Sequence, residues 1–370
     1  MPDIVVHNAM GDRVVARLPE EIRKELSSSA GRDAFHVGVL GPDPFFFYWF
    51  LAPRLRHGVD ERGGIMHHKK CRAFLLELGR QCCAADRGSS NGSIAENCAA
   101  DREGFDDGEI VDGDARHDTA AVSTQHVTAG GNTRHNTAAF AYFCGFLCHY
   151  ALDSTVHPYI NMLAARRVGM HTAVERKLDR MELRQSGRTV SDIMKLVVPF
   201  PDIPEIRGAM KAVYGWDDNC FRTGYRHMKW FLSIVKDKHL ILDKITGSTP
   251  MQTALIPDEE MQRIKERRVD SDYAQKIRKL PPIPIPKKGI PRLFARLTGK
   301  NYRRISAFPY SNHYCDDTEM DDFARLEIIA EEYAVNLITT AYDYRAGTAT
   351  EQNLADLIGD RNYSGGADEE

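Results

Sequence analysis

AAFAYFCGFLCHYALDSTVHP, residues 138–158, decides the fold class. The run is apolar on nearly every side of a helical period and too long for a strand, so it predicts a helix at the centre of a core. The helix is expected to begin near Thr137 and to stop at Pro158, because the residue before a proline is pushed out of the helical region. Within it His149, Asp153 and His157 stand at i, i+4 and i+8, which stacks their side chains along one face. Asp153 would be a buried charge in apolar surroundings unless a cation or donor met it. A metal ion answers that need; an ion pair with Arg166 or Arg176 is the structural alternative.

Working outward, His171 and Glu175 repeat the i, i+4 spacing on a helix predicted from His171 to about Arg184. That helix carries many charges on one side and Val174, Leu178 and Met181 on another, so it is amphipathic and only partly buried. Zinc takes imidazole nitrogen and carboxylate oxygen in near-tetrahedral sites, and a helix presenting two such groups one turn apart supplies half a site. A lone histidine in an apolar helix is more often a satisfied core residue. Five ligand-type residues in two helical registers favour a metal cluster instead. Upstream, His7 in DIVVHNAMGD, Asp43 in GPDPFFFYWF, and His67 and His68 in GGIMHHKK are further candidates, each weak alone. Asp43 by itself reads as a helix N-cap, since Pro44 suits the first helical position and aromatics follow.

The remaining periodic stretches are helical too: Ile4 to Leu18, Cys71 to Cys83, CFRTGYRHMKWFLSIVKD, and DDFARLEIIAEEYAVNLITTAYDY. No internal repeat and no series of alternating strands is present, so the class is all-α. The chain divides into an N-terminal part of the domain at 1–83, a low-complexity insertion at 84–136, and core helices of the same domain at 137–245. A proline-rich extended or linker segment at 246–300, a C-terminal helix at 301–348 and a tail at 349–370 follow. Large apolar residues almost vanish from the insertion, and such a composition buries too little surface to offset ordering.

A hydrophobic content of 42% suits a globular protein, and a formal net charge of -3 gives no strong pull toward nucleic acid or an anionic membrane. Residues 1–10 lack the basic start and long apolar stretch of a secretory signal, so a cytoplasmic protein, at most peripheral to a membrane, is expected. No run has the length of a transmembrane helix. The eight cysteines are scattered without paired zinc-ribbon spacing and read as reduced thiols, with Cys144 and Cys148 as core residues.

Taken in order, His7, GPD at 41–43, HH at 67–68, HYALDSTVHP at 149–158 and HTAVE at 171–175 resemble the bacterial zinc-dependent phospholipase C family. The likeness covers roughly residues 3–180, and HxxxD followed by HP and then HxxxE is its most specific part. It implies an all-α fold related to single-strand-preferring nucleases, with two to three zinc ions in a cleft. One ion would be held by Asp43, a histidine of the 67/68 pair, His149 and Asp153, and a second by His157, His171 and Glu175. In the family a third is held by the mature N-terminal amine and carbonyl with residues matching His7 and Asp153; this chain departs from that pattern, so its third site is either completed by Met1 or neighbouring backbone or is weak and absent.

The reaction so implied is phosphodiester hydrolysis, with a phospholipid headgroup as substrate; Asp43, a carboxylate able to touch both a metal and the attacking water, is the candidate general base or else a ligand alone. The aromatic run Phe45–Phe50 either lines an acyl-chain surface or packs in the core. The alternatives are a nuclease or small phosphoesterase on the same cleft, served by basic residues at 54–64 and by Lys69 and Lys70, and a zinc-stabilised helical scaffold without turnover.

Overall fold

A computed structural model describes residues 4–49, 56–87, 129–164, 170–188, 198–201, 203–235 and 323–369. The described helices are α1 (Ile4–Arg17), α2 (Glu20–Ser27), α3 (Ser29–Gly38), a 3-10 turn (Asp43–Phe47), α4 (Glu61–His68), α5 (Cys71–Arg87) and α6 (Ala129–Ala164). They continue with α7 (Met170–Ser186), α8 (Pro204–Tyr214), α9 (Cys220–Val235), α10 (Phe323–Ala346) and α11 (Glu351–Ile358). Among the described residues the only β pairing is two isolated bridges, Lys69 with Glu369 and Arg361 with Ala367. The all-α expectation therefore holds.

α6 is the central element because it is apolar all round. Phe140, Phe143, Phe146 and Tyr150 are fully buried, and each such side chain contributes about 1.5–3 kcal/mol relative to an exposed one. α6 packs most extensively against α3 and α10, then against α5, α7 and α1. The α3–α6 crossing is unusually close because a glycine stands on each side of it. A Cβ at Gly38 would run into the Tyr142 carbonyl and lie 3.0 Å from Phe146 N. One at Gly145 would run into the Phe35 carbonyl and lie 2.8 Å from Val39 N. Backbone therefore meets backbone one turn before His149, which fixes that residue's height above the end of α3.

Pro158 does not end α6, contrary to the sequence expectation; the helix continues to Ala164. An internal proline removes one helical hydrogen bond and costs about 3 kcal/mol. Burial of Val156, His157, Tyr159 and Ile160 on both sides of it offsets that loss. Helix also reaches into both ends of the 84–136 stretch, since α5 extends to Arg87 and α6 starts at Ala129; residues 88–128 lie outside the described set, as does the linker call at 246–300.

Within the stretch expected to be a C-terminal tail, Thr350 and Asn353 form a capping box that starts α11, whose Leu354, Ala355 and Ile358 are buried. Cys71, Cys82, Cys83, Cys144 and Cys148 are buried free thiols, as expected. Cys98 and Cys315 lie outside the described residues.

Candidate metal centre

The predicted ligands converge. α1 brings His7, the 3-10 turn Asp43, α4 His67, α6 His149, Asp153 and His157, and α7 His171 and Glu175. Asp153 is the hub, at 2% exposure. Its Oδ1 lies 3.1 Å from His7 Nε2 and 3.6 Å from His157 Nε2, and its Oδ2 lies 3.2 Å from His149 Nε2 and 3.5 Å from His67 Nε2. Asp43 Oδ1 is 3.4 Å from His67 Nε2. On the other flank Glu175 Oε1 is 3.5 Å from His157 Nε2 and 2.7 Å from His171 Nε2. Histidines surround the Asp153 carboxylate; the ion-pair alternative falls on Arg166 and the Arg176 side chain, which lie outside the described residues.

Second contacts orient the rings. His67 Nδ1 lies 2.6 Å from the Gly63 carbonyl, His149 Nδ1 3.1 Å from Val39 O, and His157 Nδ1 3.0 Å from Tyr363 O. His171 Nδ1 is 2.9 Å from Asn161 Oδ1. A carbonyl accepts only, so each of these Nδ1 atoms carries a proton and each Nε2 is turned toward the cluster, the arrangement by which outer partners prepare imidazole for a metal. His7 stacks on His149 with ring centroids 4.3 Å apart.

Among the described residues three groups satisfy the geometry of a shared ion: His7, His149 and Asp153; Asp43, His67 and His149; and His157, His171 and Glu175. His68 belongs to none of them. It is half-buried beside the cluster, and burial together with the neighbouring charges of His67 and His157 pushes its pKa down to about 4.

Asp43 caps no helix: Pro42 is at the cap position, no side-chain cap bond forms, and Asp43 turns inward at 3% exposure. The aromatics after it split, with Phe45 and Phe47 in the core, Phe46 half-buried against the His67 ring at 5.5 Å, and Phe50 outside the described residues.

Zinc fits this donor set on two observations. Asp43 Oδ1, His149 Nε2 and Asp153 Oδ2 are buried with no hydrogen-bond partner, although such groups are almost always paired in proteins. Two ligands about 2.0–2.1 Å from one tetrahedral zinc stand ~3.3 Å apart, and the separations about Asp153 fall between 3.1 and 3.6 Å.

The electrostatics agree with a site built for cations. Burial opposes ionisation of Asp153, yet the charges of His157, His149 and His7 hold it well below the usual carboxylate range. Burial likewise opposes ionisation of Glu175, which His171 and His157 keep low. His67 is driven up to about 10, against its own burial, by Asp153 and Asp43.

Residues 6–226 match the family model for zinc-dependent phospholipase C. The chain belongs to the zinc-dependent phospholipase C family. Its reaction is phospholipase C-type hydrolysis of a phosphodiester, its cofactor is zinc, and the substrate class of the family is phospholipid. No curated protein and no solved structure matches the chain. Among the described residues no helix is long and apolar enough to cross a membrane.

The contribution that sequence reasoning missed is Tyr363, which lies far outside the ligand motifs. Its carbonyl holds His157, and its ring lies 5.2 Å from that of His67 and 5.7 Å from that of His149. No local pattern around NYSGG marks it.

Proposed function

We propose that this zinc-dependent phospholipase C cleaves a phospholipid on the glycerol side of its phosphate, at a membrane surface it meets peripherally. One ion would be held by Asp43, His67, His149 and Asp153, a second by His157, His171 and Glu175, and a third by His7 with Asp153. The observation carrying this reading is the asymmetry of the cluster. Its carboxylates and most of its imidazoles are buried, whereas the His171 side chain is 22% exposed, so one flank faces solvent. Closed sites are structural and open ones catalytic.

Bound zinc supplies Lewis acidity to the phosphoryl oxygens and lowers the pKa of water toward ~7. The protein supplies the rest. Asp43 Oδ1, buried and without a hydrogen bond, takes the proton of the attacking water. Asp153 sets a fixed negative centre among the imidazoles, and the Val39, Gly63 and Tyr363 carbonyls keep the rings from turning. Phe46 offers an apolar wall beside His67 for the glycerol and acyl part of the lipid.

The test is phosphorus NMR on zinc-loaded protein with vesicles of phosphatidylcholine, phosphatidylethanolamine and phosphatidylglycerol. A phosphorylated headgroup and diacylglycerol are expected, with Asp43→Asn slower by about 10²–10⁴-fold. Cleavage of single-stranded DNA without lipid turnover would transfer the site to the nuclease reading. No turnover of either substrate, together with unfolding of His171→Ala, would leave a zinc-stabilised scaffold.

A further inference from the structure

Residues 359–369 lie well beyond the span that matches the family model, 6–226, yet they touch the zinc centre directly. Tyr363 N donates to the His67 carbonyl at 3.0 Å, and Glu369 N donates to the His68 carbonyl at 3.0 Å. In return Lys70 N donates to Glu369 O at 2.7 Å. The Asp368 carboxylate accepts from Cys71 N at 2.9 Å and Arg72 N at 3.0 Å, which caps the start of α5. The segment is thus laced to the α4–α5 junction that presents His67.

It is also fitted to α6. Gly365 has φ +76°, a left-handed conformation suited to glycine. A Cβ there would run into the Pro158 ring and lie 2.9 Å from the Ser154 carbonyl oxygen. That carbonyl is the one whose helical partner Pro158 removes. The proline kept inside α6, one residue after His157, therefore makes the notch that receives the segment. Asn362, buried at 4% exposure, staples the turn between these two anchor points. Its Oδ1 accepts from Ser364 N at 2.9 Å and Gly366 N at 3.0 Å, and its Nδ2 donates to Ala367 O at 2.8 Å.

We propose that segment 359–369 is a built part of the zinc centre, and that Tyr363 is a positioning residue: its carbonyl fixes the Nδ1–H tautomer and the pose of His157, while its ring walls His67 and His149. The proposal rests on the zinc assignment above. It means that metal binding and the docking of this segment are coupled, so each strengthens the other by the same factor. It also gives Pro158 a purpose within α6.

The test uses full-length protein. Gly365→Ala pushes the turn out of the notch and Asn362→Ala unties it, so each is expected to weaken zinc binding about 10–100-fold, the usual effect of losing an outer partner of a metal ligand. Chelator competition reads the affinity. In the cobalt(II)-substituted protein the visible spectrum of the His157 site should change. Arg207→Gln removes only an exposed pairing with Asp217, away from the segment, and should bind zinc as the wild type does.

Folded Gly365→Ala and Asn362→Ala variants with unchanged zinc affinity and cobalt spectrum would overturn the proposal. Should those variants unfold, hydrogen exchange on the wild type decides: zinc chelation should speed exchange of the Tyr363 and Glu369 amides at least about tenfold, and indifference would refute the coupling. These readouts need no turnover. A zinc-loaded protein inactive on lipid leaves the segment's role standing, whereas a wild type that takes up no zinc removes both ideas.

Discussion

Gly41→Ala should unseat the metal centre without touching a ligand. Gly41 has φ +52°, and a Cβ placed on it would fall inside the contact distance of the His149 imidazole atoms, 2.6 Å from Nε2 itself. An alanine in left-handed conformation costs about 1–2 kcal/mol, and forcing a methyl into a filled site about 1–3 kcal/mol more. The sum, about 2–5 kcal/mol, is a large share of a typical domain's stability, and lowers Tm by about 5–15 °C at the usual few degrees per kcal/mol for this size. His149 serves two of the three candidate ion groups. Its displacement should therefore cut zinc content as well as stability. Calorimetry of zinc-loaded and zinc-stripped protein, with elemental analysis of each, reads both effects. A Gly41→Ala protein with wild-type Tm and wild-type zinc would refute the idea that this glycine exists to make room for His149.

Zinc uptake at neutral pH should release protons, because Asp153 and Asp43 hold His67 up at about 10 in the metal-free protein and zinc requires the neutral ring; calorimetric heats that depend on buffer ionisation enthalpy would show it. A raised histidine pKa adds stability that is complete below the unfolded value of about 6.5 and fades as pH climbs toward about 10. The metal-free protein should accordingly lose denaturant resistance over that window, and a flat profile would contradict the His67–Asp153–Asp43 arrangement. Free zinc at a hundred times Kd should raise unfolding free energy by about 2.7 kcal/mol, measurable as a Tm shift reversed by chelation. Gly145→Ala should cost about 1–3 kcal/mol by prising α3 from α6, and an unchanged urea midpoint would show that the backbone contact is not needed.

The site was largely legible in the sequence because its ligands sit on helices, where i, i+4 spacing maps directly onto one face. His149, Asp153 and His157 could be aligned by counting, and so could His171 and Glu175. Asp43, His67 and His7 were visible only through their order along the chain, since tertiary packing of α1, the 3-10 turn and α4 brings them to Asp153. The choice between His67 and His68 could not be made from an adjacent pair; burial of one ring and its bond to the Gly63 carbonyl decide it. Local propensity alone ends α6 at Pro158, whereas burial on both sides and the fit of Gly365 carry the helix past it. Tyr363 was illegible for a simpler reason. It acts through a backbone carbonyl, which every residue has.

Elemental mass spectrometry of tag-free protein, after zinc reconstitution and removal of loosely bound metal, tests the central claim most directly. Two to three zinc ions per chain, falling with His149→Ala or Asp153→Asn, are the predicted result. A folded protein that retains no zinc would contradict it.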